Sequence, residues 1–353
     1  MPEKLLRHIS FVGIGLYLLA LVVVSVAFPV HALQLKWVLW GIGEVLFFFV
    51  LTVVFYPRWK NDDPKLFWRK VFWTALVIRA VYAFVMCYYY FWETGIGFEY
   101  DAADTIWYHP TAAYLSKCVR KGHILYVVKY LNAYTMGWSD QGYMYWLTLV
   151  YTIFGRSWLV PRLFKAVMGA YLCIVLWKLG SRTLGERTGR LAAVIGVFTP
   201  ILVQICGLHT KEMELIFLSM LALERMDYLI RSKRYTVWNV FFPILLTGMT
   251  FGFRTIVGMC LIFSFLVFVV FSSKELLSKR NKVIILISVA LVFLVFLFTP
   301  VGREMKRVYR LKFTDLHYQS EQYAAEGMRH SELAQSWILA PGAFVLPLAP
   351  MVE

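Results

Sequence analysis

Two aspartates, Asp101 and Asp104, stand three residues apart in a polar stretch between segments that are too apolar for a soluble protein. If this stretch is helical, the spacing places both carboxylates on one face. Carboxylates beside a bilayer can act as a general base or bind a divalent cation. The alternative is a solvated acidic loop that caps the helix that Pro110 begins.

Aromatic neighbours favour a functional role for this acidic pair. Tyr108 and His109 follow it in the run 100–117, YDAADTIWYHPTAAYLSK, and such side chains stack on sugars or hydrogen-bond to them. We predict that both residues bind substrate. If a divalent cation such as Mg²⁺ or Mn²⁺ binds, Asp101 and Asp104 are its predicted ligands.

Other polar turns contain residues suited to a phosphorylated substrate. Lys211 and Glu212 lie in the turn HTKEME, where the lysine can bind a phosphate as a point charge and the glutamate can position it or the sugar. Arg254 lies in the turn GFRTIVG and can grip phosphate oxygens bidentately. The alternatives are an ion pair at a helix end and an arginine that reaches lipid headgroups. Asp140 is predicted to cap the short helix at Tyr143 or to join the acceptor pocket.

Two charged residues, Glu44 and Arg79, fall inside apolar runs. A charge within the bilayer is costly unless it is paired or faces a cavity. We predict an ion pair between two helices of the bundle. The alternative is a role in the passage of a proton or substrate.

Composition places the chain in the membrane class. Of its 353 residues, 60% are hydrophobic and 18% are aromatic, and its mean hydropathy is +0.63. The net charge of +15 does not indicate nucleic acid, because the basic residues form short clusters between apolar runs, as cytoplasmic loops do. The clusters are Arg58, Lys60, Lys65, Arg69 and Lys70; Arg182, Arg187 and Arg190; Arg231, Lys233 and Arg234; and Lys274, Lys279, Arg280 and Lys282. The predicted partners are membrane lipids.

Apolar runs of bilayer length predict an all-α polytopic transmembrane bundle of about nine spans. The predicted spans are 11–30, 37–56, 71–92, 158–179, 190–207, 213–230, 235–251, 256–271 and 283–300. The first run is longer than the core of a signal peptide, so it is predicted to be a retained anchor.

The aromatic run 143–154 decides the topology. It is too short to span comfortably, and a crossing there would export the basic cluster at Arg182 to Arg190. Treating it as re-entrant or interfacial leaves every basic region on the cytoplasmic side, together with the N-terminus.

This topology describes one membrane domain, 1–353, in four parts. Residues 1–92 form three spans, 93–157 form an extracytoplasmic catalytic loop with short interfacial helices, and 158–300 form a six-span core. Residues 301–353 are predicted to be an extracytoplasmic helical tail. Its Pro-rich end is either re-entrant or cut short of another crossing.

The middle third of the chain resembles the GT-C superfamily of glycosyltransferases, which use polyprenyl-phosphate sugars. The stretch DTIWY followed by two alanines resembles their first extracytoplasmic loop. The stretches GYMYWLTLVYTIFGRSWLVPRLFKAVMGAY and LGSRTLGERTGRLAAVIGVFTPILV resemble protein O-mannosyltransferases and aminoarabinose transferases. The matching positions are Phe154, Gly155, Ser157, Arg162, Leu163, Gly185, Gly189, Arg190, Leu191, Ala192, Ala193 and Pro200.

The resemblance implies a catalytic aspartate in the loop, so we predict Asp104 as the base that activates the acceptor, with Asp101 in reserve. The family often has adjacent acids, whereas here two alanines separate them, which leaves open which one is the base. The implied location is the bacterial inner membrane.

The predicted reaction transfers a sugar from a polyprenyl-phosphate donor to a glycan, lipid or protein acceptor on the extracytoplasmic side. In this hypothesis Lys211 and Arg254 offset the charge of the leaving phosphate. One alternative is a transporter or flippase of a lipid-linked glycan, which would have interrupted helices and ionisable groups at mid-membrane. Another is a scaffold subunit, in which changing the aspartates has no effect.

Overall fold

The computed structural model of the protein describes residues 3–27, 35–97, 99, 103–134, 141–232, 234, 236–271 and 278–298. These residues form 13 helices and no strand, which confirms the all-α prediction for this part of the chain. The helices are α1 (Glu3–Ala27), α2 (Leu35–Trp59), α3 (Pro64–Thr94), α4 (Ala103–Arg120), α5 (Ile124–Tyr134), α6 (Gln141–Phe154), α7 (Leu159–Leu184), α8 (Glu186–Phe198), α9 (Pro200–Gly207), α10 (Glu212–Ser232), α11 (Val237–Phe253), α12 (Thr255–Phe271) and α13 (Lys279–Phe298).

Helix α3 has clear start and stop signals. The Asp63 carboxylate accepts a hydrogen bond from the Lys65 amide, and Pro64 occupies the first turn, where its missing N–H costs nothing. Gly95 ends the helix in the left-handed region, with φ 72°, which glycine adopts without steric cost. The 31 residues of α3 make it about 45 Å long at 1.5 Å per residue, enough to cross a bilayer.

Among the described residues, four helices are long and apolar enough to cross a membrane: α1, α2, α3 and α7. The pair α8 and α9, bent by 47°, makes a fifth if it counts as one span. Helices α11 and α12 are apolar, but each has only 17 residues. The predicted count of nine spans is therefore not confirmed, although a helix or helix pair covers most of each predicted span.

Helix α10 differs from the predicted span 213–230 in its charge. Glu214, Glu224 and Asp227 are buried acidic residues along it, and Arg225 and Arg231 lie beside the last two. Charges at this density are costly in a hydrocarbon layer. The prediction rested on the length of an apolar run and gave too little weight to these charges.

The described residues fall into two compact units. Among the described residues, the first comprises those up to Ala103 together with Trp158–Met213, and the second comprises Asp104–Ser157 together with those from Glu214 to Phe298. The predicted division into a single domain with four parts stays a prediction.

The first unit is built on helices α3, α7 and α8. Their buried faces meet in a core that includes Phe67, Ala75, Cys173 and Val194. Close packing of α7 on α8 depends on Gly189, where an added Cβ would lie 2.6 Å from the Trp177 carbonyl oxygen. Small residues let the two backbones approach, as they do at membrane helix interfaces.

The first unit has a basic end and a polar end. At the basic end the Arg190 guanidinium donates to the carbonyl oxygens of Lys60 and Asp62, at 3.2 and 2.6 Å, so the loop after α2 lies beside the start of α8. At the polar end Arg162, near the start of α7, donates to the carbonyl oxygen of Gly97, which follows α3.

The segment between α3 and α7 therefore leaves and re-enters at one end of this unit. This geometry is required if the run 143–154 does not cross the membrane. Whether α6, with 14 residues, lies at an interface stays a prediction.

The second unit contains α4 to α6 and α10 to α13, apart from the first residues of α4 and α10. Helix α6 packs on α11 at Gly142, where an added Cβ would lie 2.7 Å from the Phe253 ring and 2.8 Å from the Gly252 carbonyl carbon. A smaller apolar cluster joins Ile230 and Val269 with side chains of α12 and α13.

Candidate functional site

A cluster of buried charges occupies the polar end of the first unit. Three segments contribute to it: the loop after α3 provides Glu99, the first turns of α7 provide Arg162 and Lys165, and the segment after α9 provides His209 and Lys211. All five residues are less than 9% exposed. These residues are called the cation cluster below, since three of them are arginine or lysine.

Glu99 joins two of the three segments. Its Oε2 atom lies 3.4 Å from the Arg162 guanidinium, and its Oε1 atom accepts a hydrogen bond of 2.7 Å from the His209 amide. Arg162 is fully buried and also donates to the Gly97 carbonyl oxygen. A buried carboxylate held by a guanidinium and an amide is a rigid connector.

Lys165 fastens the segment after α9 to α7. Its ammonium donates to the carbonyl oxygen of Leu208 at 3.0 Å and to that of Thr210. Lys165 lies three residues after Arg162, so both point from one face of α7. Lys211 follows directly, with its side chain 5% exposed.

Within the cation cluster, cationic side chains outnumber carboxylates. The cations Arg162, Lys165 and Lys211 stand against two carboxylates, Glu99 and Glu212. Glu212 is half-buried, and within the described part of the chain its Oε2 atom has no hydrogen-bond partner. Such an end can hold an anion with the cations and accept a hydrogen bond from a hydroxyl with Glu212.

The predicted acidic pair is only partly visible. Asp101 lies outside the described residues, and Asp104 is the second residue of α4, with its side chain outside them. Within the described residues, no group of three or more His, Cys, Asp or Glu side chains could hold a metal ion. The base and the metal ligands therefore stay predictions.

Tyr108 and His109 are buried against α6. The Tyr108 ring meets the Tyr143 ring edge to face, with centroids 5.0 Å apart. Nδ1 of His109 lies 2.7 Å from the Tyr151 hydroxyl, and the Arg156 Nε–H donates to His109 Nε2 at 2.8 Å.

Because Nε2 accepts from Arg156, the His109 ring is neutral and carries its proton on Nδ1. Both residues thus connect α4 with α6 and the turn that follows it. A contact of either one with a sugar stays a prediction.

Exposed tyrosines lie nearby on α4 and α5. The hydroxyls of Tyr114 and Tyr126 are 3.1 Å apart, and this hydrogen bond raises the pKa of Tyr114 above its usual range. Both phenol hydroxyls can exchange hydrogen bonds with a polar ligand.

The remaining predicted site residues are less informative. Arg254 is exposed, in extended backbone between α11 and α12, in the second unit. Within the part of the chain that the structure describes, its side chain makes no hydrogen bond or ion pair. Asp140 lies outside the described residues. Whether Arg254 and the acidic pair meet Lys211 at one cavity stays a prediction.

A largely apolar cavity of about 820 Å³ opens on the side of the first unit. Helices α2, α3 and α9 form it, and Trp40, Phe47, Val81 and Val203 are among its lining residues. Glu44, which is 6% exposed, is the one acidic residue among those that line the cavity. Both α3 and α9 run from this cavity toward the segments of the cation cluster.

The predicted ion pair between Glu44 and Arg79 is wrong. The Arg79 guanidinium donates instead to main-chain carbonyl oxygens, among them Gly196 and Val197. Glu44 lies where its charge acts on the hydroxyls of Tyr17 and Tyr82. The sequence shows that two intramembrane charges need partners. It does not show that the partners of Arg79 are main-chain carbonyl oxygens rather than a carboxylate.

Sequence reasoning missed Glu99, Lys165 and His209. Lys165 had a usable signal, because a cation inside an apolar run three residues after Arg162 needs a polar environment. Glu99 and His209 had none, since their contact spans 110 positions in the chain.

Residues 142–301 match the family model described as dolichyl-phosphate-mannose-protein mannosyltransferase. The resemblance to this family is confirmed over that range. The match includes Arg162, Lys165 and Lys211, and it stops short of Asp101 and Asp104. It covers somewhat less than half of the chain.

Several positions that carried the resemblance have a structural reason in this mannosyltransferase-like region. Gly155 ends α6 with φ 82° and Gly185 separates α7 from α8 with φ 93°, backbone that glycine adopts readily. Gly189 permits the close α7–α8 contact, and Pro200 begins α9 after the bend. Neither a curated protein nor a solved structure matches the chain.

Proposed function

We propose that the protein is a membrane glycosyltransferase that takes a sugar from a polyprenyl-phosphate donor and transfers it to an acceptor on the extracytoplasmic side. The observation that carries this proposal is the cation cluster, which lies largely inside the region that matches the mannosyltransferase family. Such a donor cannot leave the bilayer, so its enzyme has to bind a phosphate next to apolar helices.

The proposed role of the cation cluster is to bind the donor phosphate and stabilise its departure. When the bond from the sugar C1 to the phosphate oxygen breaks, the electron pair stays on that oxygen and negative charge builds up there. Lys211 provides a point charge beside Arg162 and Lys165, whose positions are held by Glu99 and by main-chain oxygens. Cations fixed in advance in a water-poor site stabilise developing charge more than mobile ones do.

The apolar cavity suits the isoprenoid chain of the donor. A phosphate in the cation cluster would direct its chain along α3 and α9, the helices that line the cavity. A volume of about 820 Å³ is in the range of ligand pockets. The carboxyl of Glu44 would face one side of a chain that otherwise meets apolar walls.

The proposed base is Asp104, with Asp101 assisting it or binding a divalent cation. The base removes the proton from the acceptor hydroxyl as that oxygen bonds to the sugar C1, and the polyprenyl phosphate leaves. Glu99 is not proposed as the base, because its two oxygens already bind Arg162 and the His209 amide. Glu212 is placed to accept a hydrogen bond from a sugar hydroxyl.

The test is transfer from a labelled polyprenyl-phosphate sugar in membrane vesicles that contain the full chain. We expect Lys211→Gln and Asp104→Asn to lower transfer at least tenfold, whereas the exposed Lys65→Gln at the basic end of α3 should leave it unchanged. Unchanged transfer in both Lys211→Gln and Asp104→Asn, with normal membrane insertion, would contradict the proposal.

One structural feature favours the alternative, a transporter or flippase of a lipid-linked glycan. The broken pair α8 and α9 is of the kind found at transporter binding sites. The enzyme is preferred because the family model that matches describes a transferase. Proteoliposomes separate the two: translocation of a labelled lipid-linked glycan without any transfer of its sugar would support the transporter.

A further inference from the structure

Arg79 lies in the middle of α3 and is fully buried among helices α7 and α8. Its guanidinium donates to the carbonyl oxygen of Gly196 at 2.7 Å and to that of Val197 at 3.2 Å. It also reaches the carbonyl oxygen of Ala75, one turn back on its own helix, at 3.3 Å. Main-chain oxygens therefore receive most of its hydrogen bonds.

The first of these oxygens is open because of a proline. In a continuous helix the carbonyl of Gly196 would accept from the N–H of the residue four positions later, which is Pro200 and has none. Helix α8 ends at Phe198, Thr199 is extended with ψ 116°, and α9 starts at Pro200 after a bend of 47°. Arg79 supplies the donor that Pro200 lacks.

Charge favours the same position. The C-terminus of a helix carries partial negative charge, and Gly196 and Val197 are in the last turn of α8. A guanidinium there is stabilised by the helix dipole as well as by its hydrogen bonds.

The chain leaves room for this side chain at Gly169 on α7. An added Cβ there would lie 2.7 Å from Arg79 Nε, 2.8 Å from Arg79 Cδ and 3.0 Å from the Cys206 sulfur. Any larger residue would displace either the guanidinium or α9.

The bend determines where α9 delivers the segment that follows it. Within four residues of the end of α9 come Leu208 and Thr210, whose carbonyl oxygens bind Lys165, and His209, whose amide binds Glu99. A straight continuation of α8 would carry this segment away from those partners.

We propose that Arg79 and Pro200 act together as a positioning device: the proline bends the helix and the arginine caps the carbonyl oxygens that the bend exposes. The device holds segment 208–211 in the cation cluster. Its effect on transfer depends on the proposed function, but its effect on structure does not.

The test is a double-mutant cycle on the full chain in detergent, read by thermal unfolding. We expect Arg79→Met to lower the melting temperature clearly, because two carbonyl oxygens lose their donor. Pro200→Ala restores the N–H that Gly196 needs, so Arg79→Met/Pro200→Ala should recover most of the loss. The proposal would be overturned if Arg79→Met lowered the melting temperature equally in the wild-type protein and in the Pro200→Ala variant.

Hydrogen exchange tests the positioning role independently of transfer. Peptides that cover 205–211 should exchange faster in Arg79→Met and also in the double variant, because the second change restores a hydrogen bond but straightens the helix. Arg79→Lys, which keeps the positive charge and donors but not the guanidinium fork, should lie between wild type and Arg79→Met. This variant serves if the methionine variant does not fold. Wild-type exchange in both Arg79→Lys and the double variant would contradict the positioning role.

The transfer assay separates failures of the two proposals. If the device is correct and the enzyme assignment is wrong, the unfolding and exchange results hold while wild-type protein shows no transfer. If the enzyme assignment is correct, loss of the bend should raise the KM for the donor more than it lowers kcat, because the segment that binds phosphate is displaced. A lower kcat with unchanged KM and unchanged exchange would contradict the device.

Discussion

Removing one partner of the pair formed by Glu99 and Arg162 should destabilise the first unit strongly, and removing both should cost less than the two single changes added together. In Arg162→Met the Glu99 carboxylate stays buried but loses the guanidinium that lies 3.4 Å from it. Glu99→Gln removes the negative charge but keeps an oxygen that can accept from the His209 amide at 2.7 Å. The double variant Arg162→Met/Glu99→Gln leaves neither charge.

The burial of the pair determines the expected size of the effect. The Arg162 side chain is 0% exposed and that of Glu99 is 10% exposed, so solvent screens their attraction little. Breaking such a pair from one side typically costs about 3–5 kcal/mol, which raises the unfolded fraction about a thousandfold. For Glu99→Gln we expect about 1.5–3 kcal/mol, the size of a lost charge-assisted hydrogen bond.

The assay is denaturant unfolding of the detergent-solubilised protein, with the exposed Arg69→Met on α3 as the matched control. The double variant should be more stable than the sum of the single variants predicts, with a coupling of about 1–3 kcal/mol. Additive single effects, or a cost for Arg162→Met no larger than that of Arg69→Met, would refute the inference that Glu99 and Arg162 hold the loop after α3 to α7.

Three further predictions concern other parts of the molecule. Lys165→Met should lower transfer at least tenfold in the vesicle assay, because the Leu208 and Thr210 carbonyl oxygens lose a shared donor. Unchanged transfer would contradict the role of Lys165 in the site. Val81→Trp should raise the KM for long-chain donors, since it fills part of the apolar cavity, and should leave the KM for a short-chain analogue unaffected. Equal effects on both donors would exclude the cavity as the site of the isoprenoid chain. Gly142→Leu should lower the free energy of unfolding by about 1–3 kcal/mol, because the larger side chain forces α6 and α11 apart. Gly248→Leu should cost less, because an added Cβ at Gly248 meets open space. Equal costs would contradict the close packing at Gly142.

The sequence alone determined the class of the protein and most of its elements. Long apolar runs separated by basic clusters have one physical solution, helices that satisfy their own main-chain hydrogen bonds in lipid. Pro64 and Gly95 mark the ends of α3 because one lacks a donor that the first turn does not need and the other adopts a left-handed conformation. The resemblance to the mannosyltransferase family also rested on local signals, such as the glycines at 155, 185 and 189.

Helix content could be predicted from sequence more reliably than the number of crossings. A bend such as the one at Pro200 divides one apolar run into two helices, and the charges on α10 oppose a crossing that its length suggests. Local composition does not say whether a helix of about 17 residues crosses the membrane or lies against other helices.

Only the tertiary structure decided which polar groups meet. Glu99 and His209 are 110 positions apart, and Arg79 binds Gly196 from 117 positions away. A buried charge must find partners, and the sequence shows that need at Arg79 and Glu44. The choice of partner depends on how helices pack, and a main-chain carbonyl oxygen can accept from a buried guanidinium at any residue type, so sequence does not mark it as the partner.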